Sequence, residues 1–531
     1  MPMGGVGEIG SNMILVKSAH EDIIIDCGLL FPYEEGFDIN YLIPDFSILD
    51  PERVKNIIIT HGHEDHIGGL GHLVRKFPEI NIYASPFTQE LIKRKGEEFG
   101  VEFKFKTYRA GDQLEFADLV INAIHVNHSI PETHGLVIRD RDMKWGALYI
   151  SDFKVDPIST QEKPMNMREI SSLLMMCENT AYFIDSTSIL NPGKTVSETE
   201  LEKDLKEILE KSHQRIFFTM FASNIHRINS IAKYAEKAGR KLVVLGRSLK
   251  TYIEAASLAG QTDYVSDSWA TADQVKEYKG KMLILLSGCQ GDFLSALRRF
   301  SYGEDSSFKP TPEDLVVFSS KTIPGNEKKI SRIYNKLTEF GTEIITSNDL
   351  SIHASGHPGQ GDLKLLLKDF QPDYYFPIHG ESYFLRKHCE FILENYPEIK
   401  TEIFYNYQEV SFKQSGELKI IQHDVHEPLL IHGKNIEIEK TQISQRRKLA
   451  TQGMIFISIE KKTRKIQITH LGLPLLAESK IETLKNNILH QIDKNLHGRE
   501  DEYYREQVRI MSRQYFNGFL GYKPVAEVHL V

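Results

Sequence analysis

Residues 60–69 read Thr-His-Gly-His-Glu-Asp-His-Ile-Gly-Gly, which sets three imidazoles and a carboxylate (His61, His63, Asp65 and His66) within six positions. Neutral imidazole and carboxylate are suitable donors for zinc or manganese. Crowded together without an ion, they would compete for the same hydrogen-bond partners. The alternative is a solvated polar loop, but the apolar run Ile57-Ile58-Ile59 delivers all four groups from a buried strand. The spacing therefore points to a metal centre. Glu64, in the same loop, is expected to pack or hydrogen-bond locally.

The elements that must position this loop come first in the chain. Asn12–Val16, Asp22–Asp26 and Val54–Thr60 read as short strands bounded by Gly, Asp or Pro, and 69–76 and 88–99 as helices. Strands alternating with helices imply a layered α/β domain. From about residue 196 the texture changes. Ser197-Glu198-Thr199-Glu200 has the form of a capping box and opens an amphipathic helix. The continuously apolar runs RIFFTMF, KLVVLG, MLILLSG and LVVFSS then follow, as expected of parallel strands covered on both faces. Histidine–glycine loops return after residue 346. The expected organisation is a site-bearing domain over 1–195 and 347–422, an inserted doubly wound domain over 196–346, a linker over 423–446 and a small α+β domain over 447–531. QRRKLATQGMIFISIEKKTRKIQIT reads as a hairpin with a basic turn, followed by two helices and a closing strand.

Bulk properties set wider limits. A chain of 531 residues with 41% apolar and 26% charged residues is a globular protein of two to four domains. No run approaches the ~18 uninterrupted apolar residues of a membrane span, and the first residues lack the pattern of a secretory signal. The 4 cysteines lie far apart, which fits a reducing cytoplasm and argues against a disulfide framework. A net charge of −9 argues against an indiscriminate nucleic-acid binder but leaves local basic patches open.

The HxHxDH loop followed by Gly-Gly resembles the signature of metallo-β-lactamase-fold hydrolases. That resemblance implies further donors at later strand ends, and His128, Asp152 and His379 supply them. One metal is then assigned to His61, His63 and His128, the other to Asp65, His66 and His379, with Asp152 bridging. Phe183-Ile184-Asp185-Ser186-Thr187, Ser355-Gly356-His357 and Ile378-His379-Gly380 resemble the motifs of the β-CASP nucleases, whose insert leaves a cleft for a nucleic-acid strand. GGVGEIGSNM, THGHEDHIGG, FASNIHR, SGCQGDFLSAL, HASGHPGQGDLKLLL and PIHGE, in that order, resemble the bacterial ribonuclease J family nearly end to end. The implied fold is a metallo-β-lactamase αββα sandwich interrupted by a β-CASP domain. Ile150-Ser151, Glu132-Thr133, Ala354, Cys289, Asp292 and Phe293 depart from the family's usual residues, and none of them removes a donor.

The resemblance further implies hydrolysis of single-stranded RNA, 5′ to 3′ from 5′-monophosphate ends and also internally, in RNA maturation and decay. His357 would donate a proton to the leaving oxygen, steadied by Asp185. Ser223, Asn224, His226, Arg227, Ser355 and Gly356 would form the 5′-phosphate pocket. Two divalent ions, zinc or manganese, a homodimer or homotetramer, and a cytoplasmic, membrane-free setting complete the expectation. Hydrolysis of a small ester, a DNA-directed nuclease and a non-catalytic RNA-binding subunit are the competing readings. Among lesser candidates, His72 is expected to be structural and His125 and His134 to orient ligands. Lys461–Lys465 is expected to be a solvated turn, and Gly4–Gly10 lies before the first clear strand, where no dinucleotide loop belongs.

Overall fold

Asp22–Ile25 is buried at every position, which places this run at the centre of a sheet rather than at its edge. In the computed structural model the sheet has six strands, in the order Pro2–Gly4, Met13–Lys17, Asp22–Ile25, Val54–Ile58, Asn81–Ala84, Lys104–Thr107. The last four run parallel. The structure describes all residues except 33–38, 212, 265–268, 276–277, 279, 414, 434, 475–476 and 493–499. It comprises two compact units, Met1–Tyr33 with Tyr41–Leu429, and Glu34–Asn40 with Leu430–Val531.

Within the first unit a second, seven-stranded sheet faces the first. Its order is Lys400–Thr401, Tyr374–Ile378, Asn179–Asp185, Trp145–Ile150, His134–Asp140, Leu119–His125, Gln113–Glu115. Tyr374–Ile378 comes from beyond the insert and pairs in parallel with Asn179–Asp185, so this sheet is completed only when the chain returns. Ile23, Ile25 and Ile58 of one sheet and Ile121, Leu136, Tyr149 and Phe376 of the other share one core. The opposite face of the second sheet packs Ile124, Leu148 and Ile184 with Ile170, Leu363 and Ile392 of helical segments. On the first sheet the crossover helix Pro86–Phe99 is delimited by its sequence. The Ser85 hydroxyl accepts the Thr88 N–H, a proline opens the helix, and Gly100 ends it in the left-handed region.

The insert is a five-stranded parallel sheet in the order Lys241–Leu245, Met282–Leu286, Arg215–Thr219, Leu315–Phe318, Glu343–Thr346. The first four are the continuously apolar runs, with Met282–Leu286 buried throughout, and the edge strand Glu343–Thr346 is a fifth that the runs did not include. Ser197 and Glu200 form the expected capping box at the head of helix Glu198–Glu210.

In the second unit Met454–Glu460 and Lys465–Leu471 form an antiparallel hairpin, and Val525–Leu530 lies parallel to the first of them. Ile455, Ile457, Leu484, Ile488, Val508 and Phe516 form its core with helices Glu478–Gln491 and Asp501–Leu520. The expected linker over 423–446 is replaced by structure: strands Leu429–His432 and Ile436–Ile438, then helix Lys440–Gln452. QRRKLATQ is therefore helical rather than part of the hairpin. The basic turn Lys461–Lys465 is the hairpin turn the sequence indicated. Among the described residues, no helix is long and apolar enough to cross a membrane.

Candidate metal centre

All the candidate donors lie just past strand C-termini at one edge of the sandwich. His61, His63, Asp65 and His66 follow Val54–Ile58, His128 follows Leu119–His125, Asp152 follows Trp145–Ile150, and His379 follows Tyr374–Ile378. The register pairs Ile150 with Ile184 and Asp185 with Ile378, which brings Asp152, Asp185 and His379 to one level. Local backbone supports the convergence. A Cβ on Gly28 would lie 1.6 Å from the Asp65 carbonyl, so only glycine lets this segment approach the histidine loop. His379 (φ 50°) and Asp26 (φ 60°) occupy the left-handed region, conformations that non-glycine residues hold only when their surroundings impose them.

Two donor groups result, sharing Asp152: His61, His63, His128 and Asp152, then Asp65, His66, Asp152 and His379, each within 4.8 Å. In the first, His63 Nδ1 lies 3.1 Å from His61 Nε2 and 3.2 Å from His128 Nε2. Asp152 Oδ2 lies 3.9 Å from His61 Nε2 and 3.5 Å from His128 Nε2. In the second, Asp152 Oδ1 is 3.0 Å from His66 Nε2 and 3.6 Å from His379 Nε2, and Asp65 Oδ2 is 3.5 and 3.4 Å from the same two atoms.

The nitrogen of each histidine that points away from the cluster has its own acceptor, which sets the tautomer. His66 Nδ1–H donates to Asp26 (2.8 Å) and His128 Nδ1–H to the Gly356 carbonyl (2.6 Å). His61 Nδ1–H donates to Thr60 Oγ1 (3.1 Å), whose own proton goes to Asp26 (2.8 Å). His379 Nδ1–H donates to Thr187 Oγ1 (2.8 Å), whose proton goes to the His379 carbonyl (3.0 Å). His63 is turned the other way, donating Nε2–H to Ser223 (3.0 Å). Five lone pairs thus converge on Asp152.

The charges call for a cation. Burial pushes His61 well below the ordinary imidazole range, His63 to about 4 and His128 to about 3, keeping them neutral as donors must be. Burial also opposes charge on His66 and His379, but Asp152 and neighbouring carboxylates draw both well above that range. The second group thus demands positive charge, which a divalent ion supplies in place of two protons. Asp152 Oδ1, buried and without a hydrogen-bond partner, faces that group. The residues present fit divalent cations.

Beside the donors, His357 Nδ1 lies 2.7 Å from Asp185 Oδ2, and the other carboxylate oxygen lies 3.5 Å from His379 Nδ1. Burial alone would raise Asp185, yet His357 and His379 hold it down to about 2. Burial likewise opposes a charged His357, and Asp185 overcomes it, raising the imidazole. With Nδ1 on Asp185, the proton on Nε2 is the one His357 can give.

Residues 6–141 match the metallo-beta-lactamase superfamily, 213–337 the ribonuclease J beta-CASP domain, and 350–403 the Zn-dependent metallo-hydrolase RNA specificity domain. Ribonuclease J of Sinorhizobium meliloti is 31% identical over 561 residues, spanning 100% of this chain and 96% of that protein. The chain belongs to the ribonuclease J family. Ribonuclease J of Thermus thermophilus is 33% identical over 86% of the chain and 81% of its own length. Ribonuclease J 1 of Streptococcus pyogenes is 33% identical over 85% and 81%. A protein of unknown function from Enterococcus faecalis shares the fold at TM-score 0.56 and 17% identity, over 79% of this chain and 98% of that one. The fold is the metallo-β-lactamase sandwich with an inserted β-CASP domain, as the ribonuclease J resemblance implied.

In this ribonuclease J family member most of the side chains expected to bind the phosphate already have protein partners. Ser223 touches His63 instead of open space. Asn224 caps helix Ile225–Lys237 and donates to Glu198. His226 pairs with Glu162. The Arg227 guanidinium is 1% exposed, and its donors go to Glu198, Ser319, His353 and the Ala354 carbonyl. The Asn224, His226 and Arg227 side chains frame the seam rather than present free donors, because burying Arg227 required a carboxylate and carbonyls around it. Ser355 Oγ accepts the His357 N–H, and a Cβ on Gly356 would lie 2.6 Å from the His128 ring.

Three supports were not read from the sequence: Asp26, Thr60 and Thr187. Asp26 and Thr60 end apolar strands, the same signal that exposed Asp152, and Thr187 closes the Asp-Ser-Thr motif. Of the lesser candidates, Glu64 pairs with Lys95 at 2.6 Å and His72 bonds Tyr41, both local roles as expected. His125 bonds the Lys163 carbonyl and His134 packs on Tyr108, so neither side chain orients a donor as the sequence had suggested.

Proposed function

We propose that the chain is a two-metal ribonuclease that hydrolyses RNA phosphodiester bonds, 5′ to 3′ from 5′-monophosphate ends and also internally, in RNA maturation and decay. The observation that carries this reading is the pair of donor groups sharing Asp152 beside the His357–Asp185 dyad. The ribonuclease J proteins it matches over most of their length support RNA as substrate. His61, His63 and His128 would hold one cation, Asp65, His66 and His379 the other, and Asp152 both; zinc is the expected metal and manganese the alternative. When bound, the pair supplies a Lewis acid for a phosphate oxygen and lowers the pKa of water from 15.7 toward ~7.

The remaining work falls to side chains. His357 gives its Nε2 proton to the departing ribose oxygen, and Asp185 fixes the ring and stabilises its charged form. The 5′-phosphate is placed at the seam where Ser355 and Gly356 meet, framed by Ser223, Asn224, His226 and Arg227. Residues 1–195 and 347–422 make the catalytic domain in this reading, and 196–346 the insert. Assembly as a homodimer or homotetramer in the cytoplasm completes it, with light scattering as the check on mass.

The test is incubation of 5′-labelled and 3′-labelled RNA, and of DNA of the same sequence, with metal-reconstituted protein. Chelated protein and His63→Ala serve as controls. RNA cleavage that stops with either control is expected. Equal exonucleolytic rates on 5′-monophosphate, 5′-hydroxyl and 5′-triphosphate RNA would remove the phosphate pocket.

A further inference from the structure

The insert touches the donor cluster directly through one hydroxyl. Ser223 lies beyond strand Arg215–Thr219, at the C-terminal end of the insert's parallel sheet, where such sheets carry their functional loops. Its Oγ is 3.0 Å from His63 Nε2. His63 is the donor turned opposite to the rest: its Nδ1 faces His61 and His128, so only Nε2 is left to anchor the ring. The other anchors (Asp26, Thr60, Thr187, Gly356) belong to the sandwich or to the segment that returns to it.

The loop that holds Ser223 is rigidly built. Asn224 accepts the Arg227 N–H at 3.0 Å and donates to Glu198 at 3.1 Å, and Arg227 binds Glu198 at 2.6 Å. Arg227 also binds the carbonyls of Ser319 (2.9 Å) and Ala354 (3.4 Å), the latter two residues before Gly356. Ser223 itself is 8% exposed. The hydroxyl is therefore fixed by the same buried network that ties the insert to the segment carrying Gly356 and His357.

We propose that Ser223 is a positioning residue of the metal centre: by accepting the His63 Nε2–H it fixes that ring's tautomer and direction, so the first donor group is complete only with the insert docked. The proposal rests on reading His61, His63 and His128 as donors to one ion. It departs from a role for Ser223 confined to the substrate's 5′-phosphate. Loss of a partner of this kind weakens metal affinity by about 10–100-fold.

The experiment uses full-length protein, stripped of metal and titrated with cobalt(II), as wild type, Ser223→Ala, Ser223→Thr and His63→Ala. In Ser223→Ala one of the two cobalt equivalents should bind about 10-fold more weakly, with an altered visible absorption band. Ser223→Thr, which keeps the hydroxyl, should restore both affinity and band. With the physiological metal, kcat of Ser223→Ala should fall by the same factor on 5′-hydroxyl and 5′-monophosphate RNA. Cobalt binding identical to wild type, a loss confined to 5′-monophosphate RNA, or a threonine variant as weak as alanine would each overturn the proposal. If His63→Ala also binds cobalt normally, the donor assignment itself fails; if only Ser223→Ala does, the assignment stands without Ser223.

Discussion

Asp26 accepts the Nδ1–H of His66 at 2.8 Å from a carboxylate with no exposure to solvent. The same carboxylate takes the Thr60 N–H at 2.7 Å and the Thr60 hydroxyl at 2.8 Å. Through Thr60 it also reaches His61, so one buried acid orients a ring in each donor group. Burial raises the Asp26 carboxyl and the charge of His66 opposes the rise, which ties this acid to the positive charge of the centre.

Asp26→Asn should reverse the His66 tautomer. The amide oxygen can still accept the Thr60 N–H, but the amide nitrogen then replaces the oxygen shared by His66 Nδ1 and the Thr60 hydroxyl, so an N–H faces His66 Nδ1 and moves the ring proton to Nε2 where the metal must bind. The variant should lose about 10–100-fold in affinity for one ion. Elemental analysis after dialysis at limiting metal measures it, and a full complement of metal would exclude Asp26 from this role.

His357→Ala should retain both metals and lose turnover. Protonation of a leaving group contributes about 10²–10⁴-fold, and the loss should appear in single-turnover cleavage. Normal turnover with intact metal content would take His357 out of the reaction.

Glu198 and Arg227 form a buried pair at the insert seam. Burial raises the Glu198 carboxyl, but Arg227 and then Lys154 hold it down to about 2. A depressed carboxyl stabilises the fold fully above the ordinary glutamate value of about 4.3, and that contribution is lost as pH falls toward about 2. Glu198→Gln leaves the guanidinium uncompensated and should cost about 3–5 kcal/mol at neutral pH. The gap between variant and wild type in urea unfolding should narrow below the unfolded pKa. A gap independent of pH would contradict the assigned charge state.

What the sequence revealed and what it hid have physical causes. His61 to His66 are legible because four donors stand in one loop after one apolar strand, and Asp152 and His379 because the resemblance to metallo-β-lactamase-fold hydrolases implies donors at later strand ends and each follows a buried run. Asp26 carries the same local signal but acts only through rings 35 and 40 positions away, and no spacing marks an acceptor. Arg227 reads as a free cation beside polar residues. Its burial depends on Glu198, which the sequence shows only as the first residue of a capped helix. Helix Lys440–Gln452 escaped notice because it buries no residue, leaving no apolar stripe to give a period. Four of the insert's strands were plain because burial on both faces leaves continuous apolar runs, whereas the edge strand Glu343–Thr346, with one buried residue, leaves none.

Metal content at saturation, compared between wild type and Asp152→Ala, tests the shared-donor centre most directly. Asp152 faces both donor groups, so wild type should hold two divalent ions per chain and the variant should fail to hold the pair. Two tightly bound ions retained by Asp152→Ala would contradict a centre built around that carboxylate.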